Sequence, residues 1–413
     1  MHTEALSARQ LTPLAYHLEL ADFLMRQEPE VWRWEAAKDQ PQHTQSEEAQ
    51  AQRDALRIEL LRDSYRIPSD SHPSIHACLQ RAMQHLGIHV PANLYQSSAL
   101  ESNASLVFVP GEVHIILHGR LLEQMSEEEL TAIFGHELAH YVLWTCEGGK
   151  FHVVERILRG ALESDYQQPQ VRESYRRYLL HTELFADRGS AMAVGAVEPA
   201  VAALVKAHTG INHVDAKAYL QQAEEIAQAA QEKSEAYTHP EAYLRARALM
   251  QWWEGHDGAD QWIREQLQGR IELEALDFLQ QQELQVMVRR YLSAFLHGTA
   301  FVSDAVTAQL RHLFPDWRAN EPMMDCQAVL DCKIDGGVKR LLNALMMDLC
   351  LADPDQQDAM LHHALQHAIR LESLDDLIVN LRRDVGLNKR EIDKLSKKAQ
   401  AEVNASTKSG VRA

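Results

Sequence analysis

Residues 126–149, SEEELTAIFGHELAHYVLWTCEGG, carry the pattern from which the rest of the chain is read. Ser126 followed by Glu129 has the form of a capping box: the serine hydroxyl accepts from the Glu129 amide and the glutamate side chain returns to the Ser126 amide. Met125 and Leu130 stand at the positions of a hydrophobic staple, and Leu130, Ile133, Phe134, Leu138 and Tyr141 supply a buried stripe. The stretch predicts a helix that starts at Ser126 and ends by Gly148-Gly149.

On that helix His136 and His140 lie four residues apart, so both imidazoles project from one face about one turn apart and can share a single Zn²⁺. Glu137 sits beside them, an offset that lets its carboxylate reach a water on the metal rather than the metal itself, as a general base must. Burying two histidines and a glutamate on an otherwise apolar face is costly unless they are paired. Catalytic zinc usually takes three protein ligands. In Leu180-His181-Thr182-Glu183-Leu184-Phe185-Ala186-Asp187-Arg188, Glu183 and Asp187 are again four apart, so one can bind the metal while the other orients a ligand histidine. Glu183 is the expected third ligand, His181 is its rival, and Ala186 leaves room for close helix approach.

Outward from this core, residues 11–37 and 45–65 read as amphipathic helices, and a break over 66–73 separates them from a helix over 75–86. Ala104–Val109 and Val113–Leu117, joined by Pro110-Gly111-Glu112, read as a β-hairpin and give the one convincing sheet signal. Residues 215–236, 275–296, 337–351 and 355–371 read as helices, and the polar end of the chain from 394 as frayed. The fold expected is mainly α with a small β-sheet, an α+β zincin-like catalytic domain followed by an all-helical domain. The divisions expected are a helical segment over 1–70, the catalytic domain over 71–255, a helical domain over 256–395 and a flexible tail over 396–413.

Bulk properties narrow the partners. With 59 acidic against 41 basic residues, the formal charge of −18 repels phosphate backbones and anionic membrane surfaces, so nucleic acid is not an expected partner. Five scattered cysteines without a CxxC pair argue against a disulfide framework or a cysteine zinc site and fit a reducing compartment. The N-terminus has no basic start with a continuous apolar stretch, and the most apolar window, 190–205, is interrupted by Glu198 and Pro199. No membrane span and a cytoplasmic location are the expectations; no pattern fixes the oligomeric state.

HELAH followed by ELFAD resembles the HtpX and CaaX-prenyl-protease family of zinc metallopeptidases, whose pattern is HExxH and then ExxAD on a later helix. Ser102-Asn103-Ala104 before the hairpin looks like that family's Asn-Ala segment and active-site strand, and Gly119 to Leu122 before Ser126 looks like its lead-in. Thr238-His239-Pro240 and Arg245 resemble its His-Pro segment with a following arginine; Arg247 is the alternative if the register shifts. By resemblance, His239 and Arg245 would bind substrate carbonyl or stabilise the oxyanion, and Asn103 and Ala104 would bind substrate. The likeness covers about residues 71–253, and many family members span a membrane or are exported, so it does not carry their substrates over.

Together these readings imply a metalloendopeptidase that acts on protein or peptide substrates with one zinc ion and Glu137 as its base. The alternative is a catalytically silent relative that keeps the scaffold and binds clients through its helical flanks.

Overall fold

The computed structural model describes residues 10–39, 46–163, 168–229 and 233–410, with side chains through 405. It is mostly helical with one small mixed sheet, as the sequence predicts, and divides into two compact units, Met1–Gly269 and Arg270–Ala413.

In the first unit, the helix predicted over 11–37 is two, α1 (Ala15–Gln27) and α2 (Pro29–Ala37), because Glu28 leaves the helical region ahead of Pro29. Next come α3 (Glu47–Asp63), β1 (Ser64–Arg66), α4 (Pro73–His85), β2 (Ala92–Ser97), β3 (Asn103–Val109) and β4 (Glu112–His118). The sheet order is β1-β2-β4-β3, with β2 parallel to β4 and the other pairs antiparallel, so β3 is an edge strand. The hairpin is as expected; Gly111, at φ 83°, takes the turn. β1 and β2 are additions. Val113, Ile115 and Leu117 alternate into the core and meet Leu79 and Ala82 of α4 and Phe134 and Leu138 of the next long helix.

After α5 (Leu121–Gln124) that helix, α6 (Glu127–Thr145), starts on the predicted capping box, with Ser126 N–H donating to Glu129 Oε2 at 2.7 Å and Glu129 N–H to Ser126 Oγ at 3.3 Å. A tight 3-10 turn, Cys146–Gly149, leads to α7 (Lys150–Glu163), and α8 (Pro169–Val194) follows. α6 and α8 cross at glycines. A Cβ on Gly189 would lie 2.4 Å from the Ala139 methyl and 2.9 Å from the Gly135 carbonyl oxygen; one on Gly135 would lie 2.4 Å from the Ala193 methyl. The close approach sits at Gly135 and Gly189; Ala186, where the sequence suggested room, is fully buried on the same helix.

α9 (Val197–Thr209) braces the start of α6, where Lys206 Nζ donates to Glu129 Oε2 at 2.8 Å and to the Gln124 carbonyl at 3.2 Å. α10 (Ala216–Ala229), α11 (Ala242–Glu254) and α12 (Ala259–Gln268) complete the unit; of the helix expected over 215–236, residues 230–232 lie outside the described residues and 233–236 are not helical. The sequence places the division at 255/256. The packing places it at 269/270, because Ile263 and Leu267 of α12 are buried and its Gln266 carbonyl accepts from the Ser234 amide.

Helix α1 belongs to this unit. His17 Nε2 lies 3.2 Å from Thr182 Oγ1, and Tyr16 stacks on His181 at 4.4 Å. Burial pushes His17 well below the usual imidazole range, and burial with the nearby Arg156 pushes His152 to about 4. In the unfolded chain these groups protonate near pH 6.5, so below that pH the unfolded state binds more protons and stability falls until the folded-state values are passed. For His152 alone the loss is on the order of 3 kcal/mol by pH 4. Thermal unfolding followed from pH 7.5 to 5 should show a steadily falling midpoint below about 6.5; a flat profile over that range contradicts neutral burial of these rings.

The second unit contains α13 (Phe278–Leu296), α14 (Asp304–Leu313), α15 (Cys326–Asp331), α16 (Gly336–Ala352), α17 (Gln357–Arg370), α18 (Leu374–Asn380) and α19 (Lys389–Gly410), around a core that includes Tyr291, Leu292, Leu342, Met346 and Leu365. The flexible tail expected over 396–413 is corrected: α19 runs to Gly410, because Ile392, Leu395, Ala399 and Val403 recur at helical spacing, and Ile392, Ala399 and Val403 are buried. Residues 411–413 lie outside the described residues.

Candidate metal centre

Helix α6 presents His136, Glu137 and His140 to α8, which answers with Glu183 and Asp187. His136 Nε2 is 3.5 Å from Glu183 Oε2, and His140 Nε2 is 3.7 Å from Glu183 Oε1. One ligand atom from each of His136, His140 and Glu183 falls within 4.8 Å of the others, the one such group of His, Cys, Asp or Glu donors among the described residues. These separations are long for hydrogen bonds. They approach the spacing of about 3.3 Å between donors around a tetrahedral zinc with bonds of about 2.0–2.1 Å. The donor set, two imidazoles and one carboxylate, therefore fits a zinc ion.

Asp187 Oδ1 lies 3.2 Å from His136 Nδ1, on the far side of the ring from Glu183. Arg245, from the first turn of α11, donates from Nε and Nη2 to Asp187 at 2.8 and 2.7 Å, and its Nη1 is 3.2 Å from Glu183 Oε2. Burial opposes ionisation of both carboxylates, but the Arg245 charge together with the contacts from His136, and from His239 for Glu183, outweighs it and holds Asp187 below, and Glu183 well below, its usual range. Burial holds His140 neutral, at about 4, and its ring stacks on Trp144 one turn further along α6.

Glu137 is 7% exposed, and burial is the chief reason its carboxyl is raised to about 7, the range in which a proton is both taken and returned. The Leu106 backbone of β3 favours its ionised form and partly opposes the effect of burial, and Leu106 and Glu137 line the same cleft. His239 is the exposed member of the group, with Nδ1 3.0 Å from Glu183 Oε2. Asn103 and Ala104 open β3 and line the same cleft, of about 1340 Å³, as His136, Glu137 and Glu183.

The structure thus brings together every residue singled out for the site. It turns away the two alternatives: His181 Nδ1 meets the Arg177 carbonyl at 2.8 Å, and Arg247 pairs with Glu224 at 3.0 Å over the Trp262 ring. Sequence reasoning missed Trp144, although its position four residues after His140 is a legible helical signal. It also missed the Arg245 to Asp187 fork, for which no local pattern exists.

No helix among the described residues is long and apolar enough to cross a membrane. No solved structure matches the chain. The chain is 25% identical over 218 residues to the plastoglobule-localized metallopeptidase 48, chloroplastic, of Arabidopsis thaliana, an alignment covering 47% of this chain and 61% of that protein. Residues 69–145, which contain β2 to β4 and His136, Glu137 and His140 and stop short of Glu183, match peptidase family M48, and over that segment the chain is similar to a peptidase domain of this family.

Proposed function

We propose that this chain is a zinc-dependent endopeptidase of the HtpX and CaaX-prenyl-protease type within that family. The observation that carries the reading is the convergence of His136, His140 and Glu183 beside a buried carboxylate, Glu137, at an edge strand. Zinc held by those three residues would supply Lewis acidity, lowering the pKa of a water to about 7 and polarising the scissile carbonyl.

The protein's own groups do the rest. Glu137 takes the proton from the attacking water and passes it to the leaving amine. Asp187 holds the His136 ring so that Nε2 faces the metal, and Arg245 fixes both Asp187 and Glu183 rather than meeting substrate. His239, exposed at the rim, is the group placed to donate to the carbonyl oxygen as negative charge develops there. The edge of β3, entered at Asn103 and Ala104, aligns an extended peptide by strand addition. A cleft of about 1340 Å³ exceeds the range of about 300–1,000 Å³ usual for small-molecule sites and suits a chain-like substrate. All five cysteines are free, which supports a reducing compartment such as the cytoplasm.

Metal removal tests this. A chelator should abolish cleavage of an unfolded protein, and one equivalent of zinc should restore it. Undiminished cleavage by metal-free protein would refute the reading.

A further inference from the structure

The rim of the cleft that carries Tyr237, Thr238 and His239 is a strap, residues 233–240, that is neither helical nor part of the sheet. Backbone groups in such a segment need partners. Two of them, the Ser234 and Ala236 carbonyls, are met by one side chain, Arg176, which lies on α8 seven residues before Glu183 and so two turns away along the same helix.

Arg176 is 8% exposed, and its donors are fully engaged. Nε and Nη2 form a fork on Glu173, at 2.7 and 2.8 Å. Nη1 donates to the Ala236 carbonyl at 2.8 Å and the Ser234 carbonyl at 3.3 Å, and Nη2 also reaches the Leu267 carbonyl of α12 at 3.4 Å. These contacts account for all five guanidinium N–H groups. Glu173 is held in turn by Arg177 Nε at 2.7 Å. The strap is pinned at the same end by the Ser234 amide, which donates to the Gln266 carbonyl at 2.8 Å. Past this base the strap rises to His239, whose side chain is 60% exposed and touches Glu183.

We propose that Arg176 is a positioning residue for the reaction: by gripping the Ser234 and Ala236 carbonyls, it sets the strap over the metal triad and so places His239 against Glu183. The catalytic half of this statement rests on the peptidase reading; the mechanical half does not. Arg176→Lys keeps the charge but has no planar fork, so it can hold Glu173 or the carbonyls but not all of them.

The test is a double-mutant cycle with His239→Ala, read as kcat and KM on an unfolded protein substrate, together with amide hydrogen exchange. R176K should lower kcat about tenfold to a hundredfold with little change in KM, since the β3 edge is untouched. In the His239→Ala background it should cost almost nothing further. Amides of 235–239 should exchange about tenfold faster or more in R176K, while α8 beyond residue 180 keeps its protection. Additive kinetic losses in the two backgrounds, or unchanged exchange across the strap, overturn the proposal. Should R176K fail to fold, Glu173→Gln, which keeps the arginine and loosens its fork, takes its place with the same expectations. A wild type that cleaves nothing refutes the peptidase reading, and the exchange measurement still decides whether Arg176 holds the strap.

Discussion

Glu137→Gln is expected to keep one equivalent of zinc and to lower kcat on an unfolded protein by about 10²–10⁴-fold. The carboxylate lies next to the three converging donors without being one of them, so its neutral isostere leaves their arrangement intact. What it loses is the capacity to take a proton, and burial has raised that carboxyl to about 7, where the capacity is most useful near neutral pH. Metal content by atomic absorption and a protease assay on the same preparation measure both quantities. Retained turnover removes Glu137 as the base, and lost zinc makes it a ligand.

Gly189→Val should have the second largest effect, on stability as well as on the metal site. Here α8 passes α6 with almost no side chain between the backbones, and a Cβ alone would stand 2.4 Å from the Ala139 methyl. Overpacking a close-packed contact costs about 1–3 kcal/mol and occasionally more. In this place backbone lies opposite as well as side chain, and the helices must separate. Separation pulls Glu183 and Asp187 away from His136 and His140, so zinc affinity should fall together with the unfolding midpoint. A variant with wild-type midpoint and full zinc content would show that the two helices are not held at this crossing.

How much of this was legible follows the range over which each signal acts. HELAH, ELFAD and the Ser126 to Glu129 box are local patterns set by helical periodicity, and each appears where it reads. The small residues at the crossing, Gly135 and Ala139 on one helix and Gly189 and Ala193 on the other, are visible in the sequence, but small residues are common in helices and only their pairing across the two helices sets them apart from Ala186. β2, ANLYQS, has no β-branched residue and is defined by parallel pairing with β4, from which β3 separates it in the sequence, so no local pattern announces it. β1 has three residues and follows directly on a helix. The role of Arg245 turns on a partner 58 residues away, and that of Arg176 on carbonyl groups, which leave no trace in a sequence. Helix α19 was missed because abundant lysine masks an apolar spacing that is nonetheless regular.

The proposed chemistry requires His136, His140 and Glu183 to hold one zinc ion. Crystals of the zinc-loaded protein, measured on either side of the zinc absorption edge, test it most directly. A single anomalous peak is expected within about 2.0–2.2 Å of His136 Nε2, His140 Nε2 and one Glu183 carboxylate oxygen. A peak elsewhere, or one completed by Asp187 or His239 in place of Glu183, would contradict it.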